Sequence, residues 1–461
     1  MLGGSITLPE LQCRHGPVRH VRPWTGEPGT AGTVAVVGAG KMGLPLAAQF
    51  ASHGWSVIAV DIDEAVVESI NSGRTHINGE PRLAELVADA HAAGRLRATT
   101  DGRAASGEAD VVVLIVPLVL DEALQPDYRH LDAAAITAST GVTSGVTVII
   151  ETTLPVGDTR DRYAQLIASS SGLTLERDLF VAFSPERLYT GAAIRNLATY
   201  PKLVGGIGPR SADRAAAFYA SVLDAEIVKM SSAEAAELSK LADTTYRDVN
   251  IAFANELAAY AARVGVDVQE VIRGANSQPY SHIHQPGLGV GGHCIPVYPR
   301  FLLARAPEMD LVALSRRIND GQVDLVVRTL EDEFSGISGL PVLVLGLTYR
   351  EGVKELANSR GVELVAHLAS AGARVSAWDP LLSPEEIRST SADPWSWGAE
   401  SEARAVVVQT ADPLFRGLDM AWFPALEVLF DGRNSLREAS YPASVRVLGV
   451  GVPPRGAPGS D

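Results

Sequence analysis

Gly287-Leu288-Gly289-Val290-Gly291-Gly292 runs directly into His293-Cys294-Ile295-Pro296. Four glycines in six residues let a backbone fold closely around a bound group, and a thiol is delivered to it at once. The same residues also suit a plain turn that closes over a small buried hydrophobe. Upstream, Lys240, Thr244 and Arg247 fall at i, i+4 and i+7 of a helical pattern, so they share a face that either converges on a pocket or is simply solvated. His293 is not taken as a base for the cysteine, because neighbouring side chains in an extended loop point apart. No set of His, Cys, Asp and Glu has ligand spacing, so no metal is expected.

Those residues need elements to hold them. From Thr33 an apolar strand, Val34-Ala35-Val36-Val37, enters Gly38-Ala39-Gly40-Lys41-Met42-Gly43, then a helix from Leu44 to His53 and a second strand, Val57 to Val60, ending on Asp61. A lone G-x-G-x-x-G says little, but between a strand and a helix, with an acid at the end of the next strand, it is the dinucleotide fingerprint. Its glycines admit a pyrophosphate to the helix N-terminus, and Asp61 accepts from ribose hydroxyls. A carboxylate there disfavours a 2′-phosphate, so NAD is expected rather than NADP. Further buried strands read from Asp110 to Val116, Thr147 to Thr153 and Phe180 to Phe183, and their ends carry Pro117, Thr153 and Ser184-Pro185-Glu186-Arg187, where a doubly wound sheet places its ligand loops. A strand candidate at Ala225 to Lys229 closes this unit.

A chain of 461 residues is long enough for about three domains. Residues 1–31, rich in Gly, Pro and Arg and containing Cys13, read as an arm; 32–228 form the dinucleotide domain. Residues 229–335 are helical and carry the cysteine loop, with a helix start resembling a capping box at Ser231-Ser232-Ala233-Glu234 and a long helix from about Leu311 to Phe334. Residues 336–450 form a second α/β unit with strands at Val342 to Leu347, Arg374 to Trp378, Ala405 to Gln409 and Ala425 to Phe430. It lacks the three glycines, so it is not expected to grip a dinucleotide. Residues 451–461 read as a tail. A net charge of −15 and a pI near 5.2 argue against nucleic acid or an anionic membrane as partner. With two cysteines, no apolar run of transmembrane length and no signal-peptide core, a cytoplasmic location is expected.

Taken in order, the dinucleotide unit, Ser184-Pro185-Glu186-Arg187, Lys240 with the run Tyr246 to Glu256, the Gly287 to Pro296 loop and Asp431-Gly432-Arg433-Asn434 resemble the UDP-glucose/GDP-mannose dehydrogenase family over about residues 32 to 450. The Tyr246 to Glu256 run and His-Cys-Ile-Pro look most like its members that act on N-acetylated UDP-sugars, UDP-N-acetylmannosamine dehydrogenases among them. The resemblance implies an α/β fold with an N-terminal Rossmann domain, a central helical dimerisation region and a C-terminal Rossmann-like UDP-binding domain, assembled as a homodimer. It implies NAD-dependent, four-electron oxidation of the C6 alcohol of UDP-N-acetylmannosamine, UDP-N-acetylglucosamine or UDP-glucose to the uronate. An aldehyde has no easy second hydride to give until a nucleophile adds to it, and Cys294 would supply that adduct.

By the same resemblance Lys240 stabilises the oxyanion, and Glu186 is the general acid/base, with Thr153 holding a water. Gly38, Gly40, Lys41, Met42, Gly43, Asp61, Pro117 and Thr153 contact NAD. Glu186, Arg187, Lys240, Arg247, Asn250, Gly289, Gly291, Gly292, Tyr349, Arg350 and Arg433 contact the UDP-sugar. Three positions depart from the family pattern: Thr244 stands for an asparagine, Tyr298 for an aspartate and Ala357 for an arginine, with Arg360 or Arg300 as candidate substitutes for the last. Two other readings are a two-electron alcohol or hydroxyacid dehydrogenase, which needs neither Cys294 nor a second α/β domain, and a non-catalytic nucleotide-sugar binding protein.

Overall fold

The computed structural model describes residues 31–456 except Thr190, Glu438 and Ser440; residues 1–30 of the expected arm, Cys13 among them, lie outside the described residues. Runs of β-branched and aliphatic residues form strands because such side chains pack well on a pleated surface buried on both faces. In chain order these are β1 (Thr33–Val37), β2 (Ser56–Val60), β3 (Leu96–Thr99), β4 (Val111–Leu114), a small hairpin of β5 (Val119–Leu120) and β6 (Pro126–Asp127), β7 (Val146–Ile150), β8 (Leu179–Phe183), β9 (Lys202–Gly206) and β10 (Ile227–Lys229). All but the hairpin make one sheet in the order β10-β9-β8-β7-β4-β1-β2-β3. It is parallel except where β8 meets β9. The order reverses between β1 and β4, and the loops that follow these two strands open the crevice that such sheets use for ligands.

Strand β9 was not anticipated, and its composition explains why. Lys202-Leu203-Val204-Gly205-Gly206 is glycine-rich because a Cβ at Gly205 would lie 2.2 Å from the Ser232 carbonyl oxygen and one at Gly206 would lie 2.3 Å from the Ala212 nitrogen. Close backbone approach, which periodicity does not register, dictates the sequence there.

A second sheet comprises β11 (Pro341–Leu345), β12 (Arg374–Trp378), β13 (Asp393–Pro394), β14 (Ala405–Val408), β15 (Val428–Asp431), β16 (Arg446–Gly449) and β17 (Val452–Arg455), in the order β13-β12-β11-β14-β15-β16-β17. The tail expected from residue 451 is corrected here: Val452–Arg455 turn back through Gly451 and pair antiparallel with β16. Two prolines in that strand masked it, and the outermost position in the sheet tolerates them.

Between the sheets a helix of 32 residues, Ala233–Val264, spans the molecule. Ser232 caps it by accepting from the Ala235 N–H, so the expected capping box does not form; Glu234 turns instead to Arg160 at 2.5 Å. The long helix expected near residues 311–334 is two, Asp310–Asp320 and Gln322–Phe334, parted at Gly321. No helix among the described residues is long and apolar enough to cross a membrane.

Candidate active site

The fingerprint loop is built as its glycines require. Gly38 has φ +102°, and a Cβ on Gly43 would stand 1.7 Å from the Gly38 carbonyl oxygen, so helix Gly43–Ser52 starts hard against β1. Gly40 faces open space, with nothing within 4 Å of where its Cβ would be. Asp61 accepts from the Ala39 and Asp63 N–H groups at 3.0 and 3.1 Å and is only partly buried, which leaves carboxylate lone pairs for a ribose. Met42 is the residue before the helix, and Pro117 is exposed just past β4. This cradle fits a dinucleotide. Lys41 is placed differently from expectation: its ammonium reaches out of the domain to Glu355 at 2.5 Å.

Four of the expected catalytic groups come together. Lys240 is 5% exposed on the long helix, and among the described residues it makes no ion pair. Its positive charge acts on both Cys294 and Glu186. Burial pushes the Cys294 thiol up; Lys240 opposes this, Glu186 adds to it, and Arg247, exposed about two turns further along the helix, opposes it weakly. Burial likewise lifts the Glu186 carboxyl above its ordinary range, against Lys240, the Leu188 N–H that it accepts from and Lys202. Thr153 is buried, and both it and Cys294 act on the Tyr298 phenol. The Thr244 hydroxyl donates back to the Lys240 carbonyl at 3.2 Å, within its own helix.

Other expected contacts are already engaged within the protein. The Asn250 amide donates to the His282 carbonyl at 2.8 Å and accepts from the His284 N–H at 2.9 Å, so it pins the approach to the cysteine loop. The Arg187 guanidinium donates to the Pro201 carbonyl. Arg350 lies over the Tyr189 ring, 4.1 Å from its centroid, and ties the second sheet domain to the loop after β8. Arg433 donates to the Gln409 carbonyl at 2.9 Å and lies under Gly287, where a Cβ would meet its guanidinium at 2.6 Å.

The cysteine loop is clamped from both sides. Leu288 is fully buried in the core of the second sheet domain. A Cβ on Gly289 would press on the Arg360 side chain at 3.2 Å, one on Gly291 would meet the Asn358 carbonyl at 2.8 Å, and one on Gly292, where φ is +91°, would meet the Tyr349 ring at 3.0 Å. Tyr349 is therefore a packing partner of the loop. Arg360 donates to the Val290 carbonyl at 3.0 Å and to Asp320 at 2.6 Å, so it holds the loop in place. Arg300 also meets Asp320, at 2.7 Å.

Sequence reasoning missed the layer beneath: buried Asp248 accepts from Arg316 at 2.5 Å and from Asn319 at 2.8 Å, and Arg316 also pairs with Asp320. It also missed Glu355, which takes both Lys41 and His293, the latter at 3.3 Å. It missed the buried Lys202–Glu151 pair at 2.8 Å whose charges reach Glu186. Lone charged residues in apolar runs were the available signal, since burying a charge demands a partner.

Models of the UDP-glucose/GDP-mannose dehydrogenase family match in sequence: the NAD binding domain at residues 32–223, the central domain at 234–321 and the UDP binding domain at 343–438. The chain belongs to that family. It is an NAD-dependent dehydrogenase, and its first sheet domain is the family's NAD binding domain. The UDP-N-acetyl-D-mannosamine dehydrogenase of Pyrococcus horikoshii is 34% identical over 429 residues, covering 91% of this chain and 99% of the relative. An NDP-N-acetyl-D-galactosaminuronic acid dehydrogenase of Ralstonia solanacearum is 36% identical over 340 residues, 72% of this chain and 79% of the relative. The solved structure of the Pyrococcus horikoshii UDP-D-ManNAc dehydrogenase superposes with a TM-score of 0.82 at 32% identity, covering 91% of this chain and 99% of that one.

Proposed function

We propose that this dehydrogenase oxidises the C6 alcohol of a UDP-sugar to the carboxylate in two hydride-removing steps, with Cys294 as covalent nucleophile. The observation that carries the reading is the meeting of Cys294, Lys240 and Glu186, three groups from a clamped loop, a long helix and a sheet-end loop. The bound dinucleotide supplies the hydride acceptor for each step. Glu186, or a water held by Thr153, takes the hydroxyl proton as C6 loses its first hydride and becomes an aldehyde. The Cys294 sulfur then bonds to that carbon, and the oxyanion formed faces the Lys240 ammonium. Loss of a second hydride gives a thioester. Water directed by Glu186 cleaves the carbon–sulfur bond, which frees the thiol and leaves the carboxylate. Two NAD and one water are consumed, and two NADH are released.

An N-acetylated UDP-hexose is the favoured substrate, because relatives at 34% and 36% identity are named for N-acetylated sugars. UDP-N-acetylmannosamine comes first, with UDP-N-acetylglucosamine and UDP-glucose as competitors. Arg433 and Arg350 border the nucleotide's side of the cleft, and Arg247 its sugar side. The protein acts as a homodimer in the cytoplasm: Tyr246, Phe253 and Tyr260 recur every seven residues on the long helix at 55%, 48% and 57% exposure, an apolar stripe suited to a second copy.

Counting NADH per sugar across these three substrates tests the reading. Two equivalents are expected from the native enzyme, and none of the carboxylate from Cys294→Ser. One equivalent with a fully active serine variant would establish a two-electron alcohol dehydrogenase, and tight UDP-sugar binding without turnover a binding protein.

A further inference from the structure

On the covalent reading of Cys294, we propose that Tyr298 is a positioning residue for the nucleophile: its phenol donates a hydrogen bond to the sulfur and its ring seats the Lys240 ammonium. The backbone sets up the pairing. The Tyr298 N–H donates to the Cys294 carbonyl at 2.9 Å, so the two residues stand one turn apart where the loop winds into helix Tyr298–Arg305, and side chains at that spacing share a side. The ring is held by Phe301, 5.5 Å away centroid to centroid, and packs on the core that contains Val297, Phe301 and Leu302. Lys240 Nζ lies 5.7 Å from the centre of the same ring. Thr153 and Cys294 both act on the phenol, Cys294 favouring its protonated form and Thr153 opposing it.

Every charged group around the pair has a known place. Lys240 and Arg247 come from the long helix, and Glu186 comes from the loop after β8, with the Lys202–Glu151 ion pair behind it. Burial first, then Cys294 and Glu186, drive the Tyr298 phenol well above its ordinary range, so it keeps its proton throughout the working pH. A protonated phenol donates to a thiolate; an ionised carboxylate at this position only accepts and repels it. With tyrosine here, position 298 brings no second carboxylate to compete with the sulfur for Lys240, whose charge already acts on Glu186. The site stabilises its nucleophile with a neutral donor beside the Lys240 cation.

The test uses the full chain with Cys13→Ser, so that iodoacetamide reports Cys294 alone, and follows the alkylation rate against pH. Tyr298→Phe keeps the ring and removes the donor; its alkylation midpoint is expected to rise by about 0.5–1 pH unit, with a rate at pH 7.5 about 3- to 10-fold lower. Tyr298→Asp is expected to shift the midpoint further upward. In turnover, Tyr298→Phe should lower kcat with KM nearly unchanged. An unaltered midpoint and kcat in a folded Tyr298→Phe protein would overturn the proposal and reduce the residue to packing. The alkylation needs no substrate, so this outcome is separable from failure of the covalent mechanism, which the NADH count on Cys294→Ser reads independently.

Discussion

The two α/β halves start from the same turn and put it to opposite uses. In the first, Gly38 at φ +102° donates to the Val60 carbonyl at 2.9 Å, and Gly43 abuts its carbonyl; in the second, Gly346 at φ +91° donates to the Trp378 carbonyl at 2.8 Å, and a Cβ on Gly361 would stand 2.5 Å from the Gly346 oxygen. Residues 39–42 alone separate the glycines in the first half, whereas 347–360 separate them in the second. That longer excursion carries Tyr349, Glu355, Asn358 and Arg360, which press on the cysteine loop. The acids at the ends of the second strands diverge in step. Asp61 keeps free lone pairs, while Asp379, 1% exposed, is filled by the Leu347 and Thr348 N–H groups at 2.8 Å and the Thr348 hydroxyl at 2.9 Å. One half leaves its cradle open for a cofactor; the other fills it with its own chain and becomes a clamp.

The clamp is most directly broken at Gly292. Valine there meets the Tyr349 ring and a backbone conformation that side chains rarely adopt, so kcat should fall by about two to three orders of magnitude through misplacement of the sulfur, while NAD affinity, measured by fluorescence titration, stays native. The equivalent acids should separate binding from stability. Asp61→Ala is expected to weaken NAD by about 10- to 100-fold in calorimetric titration with little change in Tm. Asp379→Ala should cost about 2–4 kcal/mol in urea unfolding, because it strands buried N–H groups, and should leave NAD affinity intact. Equal effects on both quantities from either variant would erase the distinction between the halves.

A smaller effect concerns protons. Burial raises the Glu186 carboxyl, so its proton leaves at higher pH and the acid limb of kcat/KM lies above the ordinary carboxylate range. Lys240 favours the ionised form. Lys240→Met should therefore move that limb further up in pH as well as lower kcat, and a limb that moves down would refute the pairing. The least effect is expected from Glu355→Gln, which loosens an exposed link between the halves and should change KM for NAD by less than about 3-fold.

The open half was legible in the sequence because its function is written in local spacing: Gly38, Gly40, Gly43 and Asp61 sit on consecutive elements. Cys294 and Lys240 were legible as chemistry, although only their meeting in space makes a site. The clamp was not. Gly287, Gly289, Gly291 and Gly292 read as freedom to bend around a ligand, and no local pattern signals that Arg433, Arg360, Asn358 and Tyr349 from a distant stretch lie against them. Asn250 and Arg187 looked like ligand contacts because polar groups on an apolar helix or at a strand end must bond something, and sequence does not say whether the partner is substrate or the protein's own carbonyls.

The Glu355 bridge bears on timing. His293 and Lys41 hold its carboxyl well below the usual carboxylate range, so one anion fastens the neighbour of Cys294 and the fingerprint loop together. The proposed four-electron cycle has to swap spent coenzyme for fresh while its half-oxidised sugar is held at the sulfur. Because the Lys41 side of the bridge is half-exposed, that contact can part into water and re-form without stranding a buried charge, while the buried clamp on the other side of the loop stays shut. The protein can thus exchange one passenger without letting go of the other.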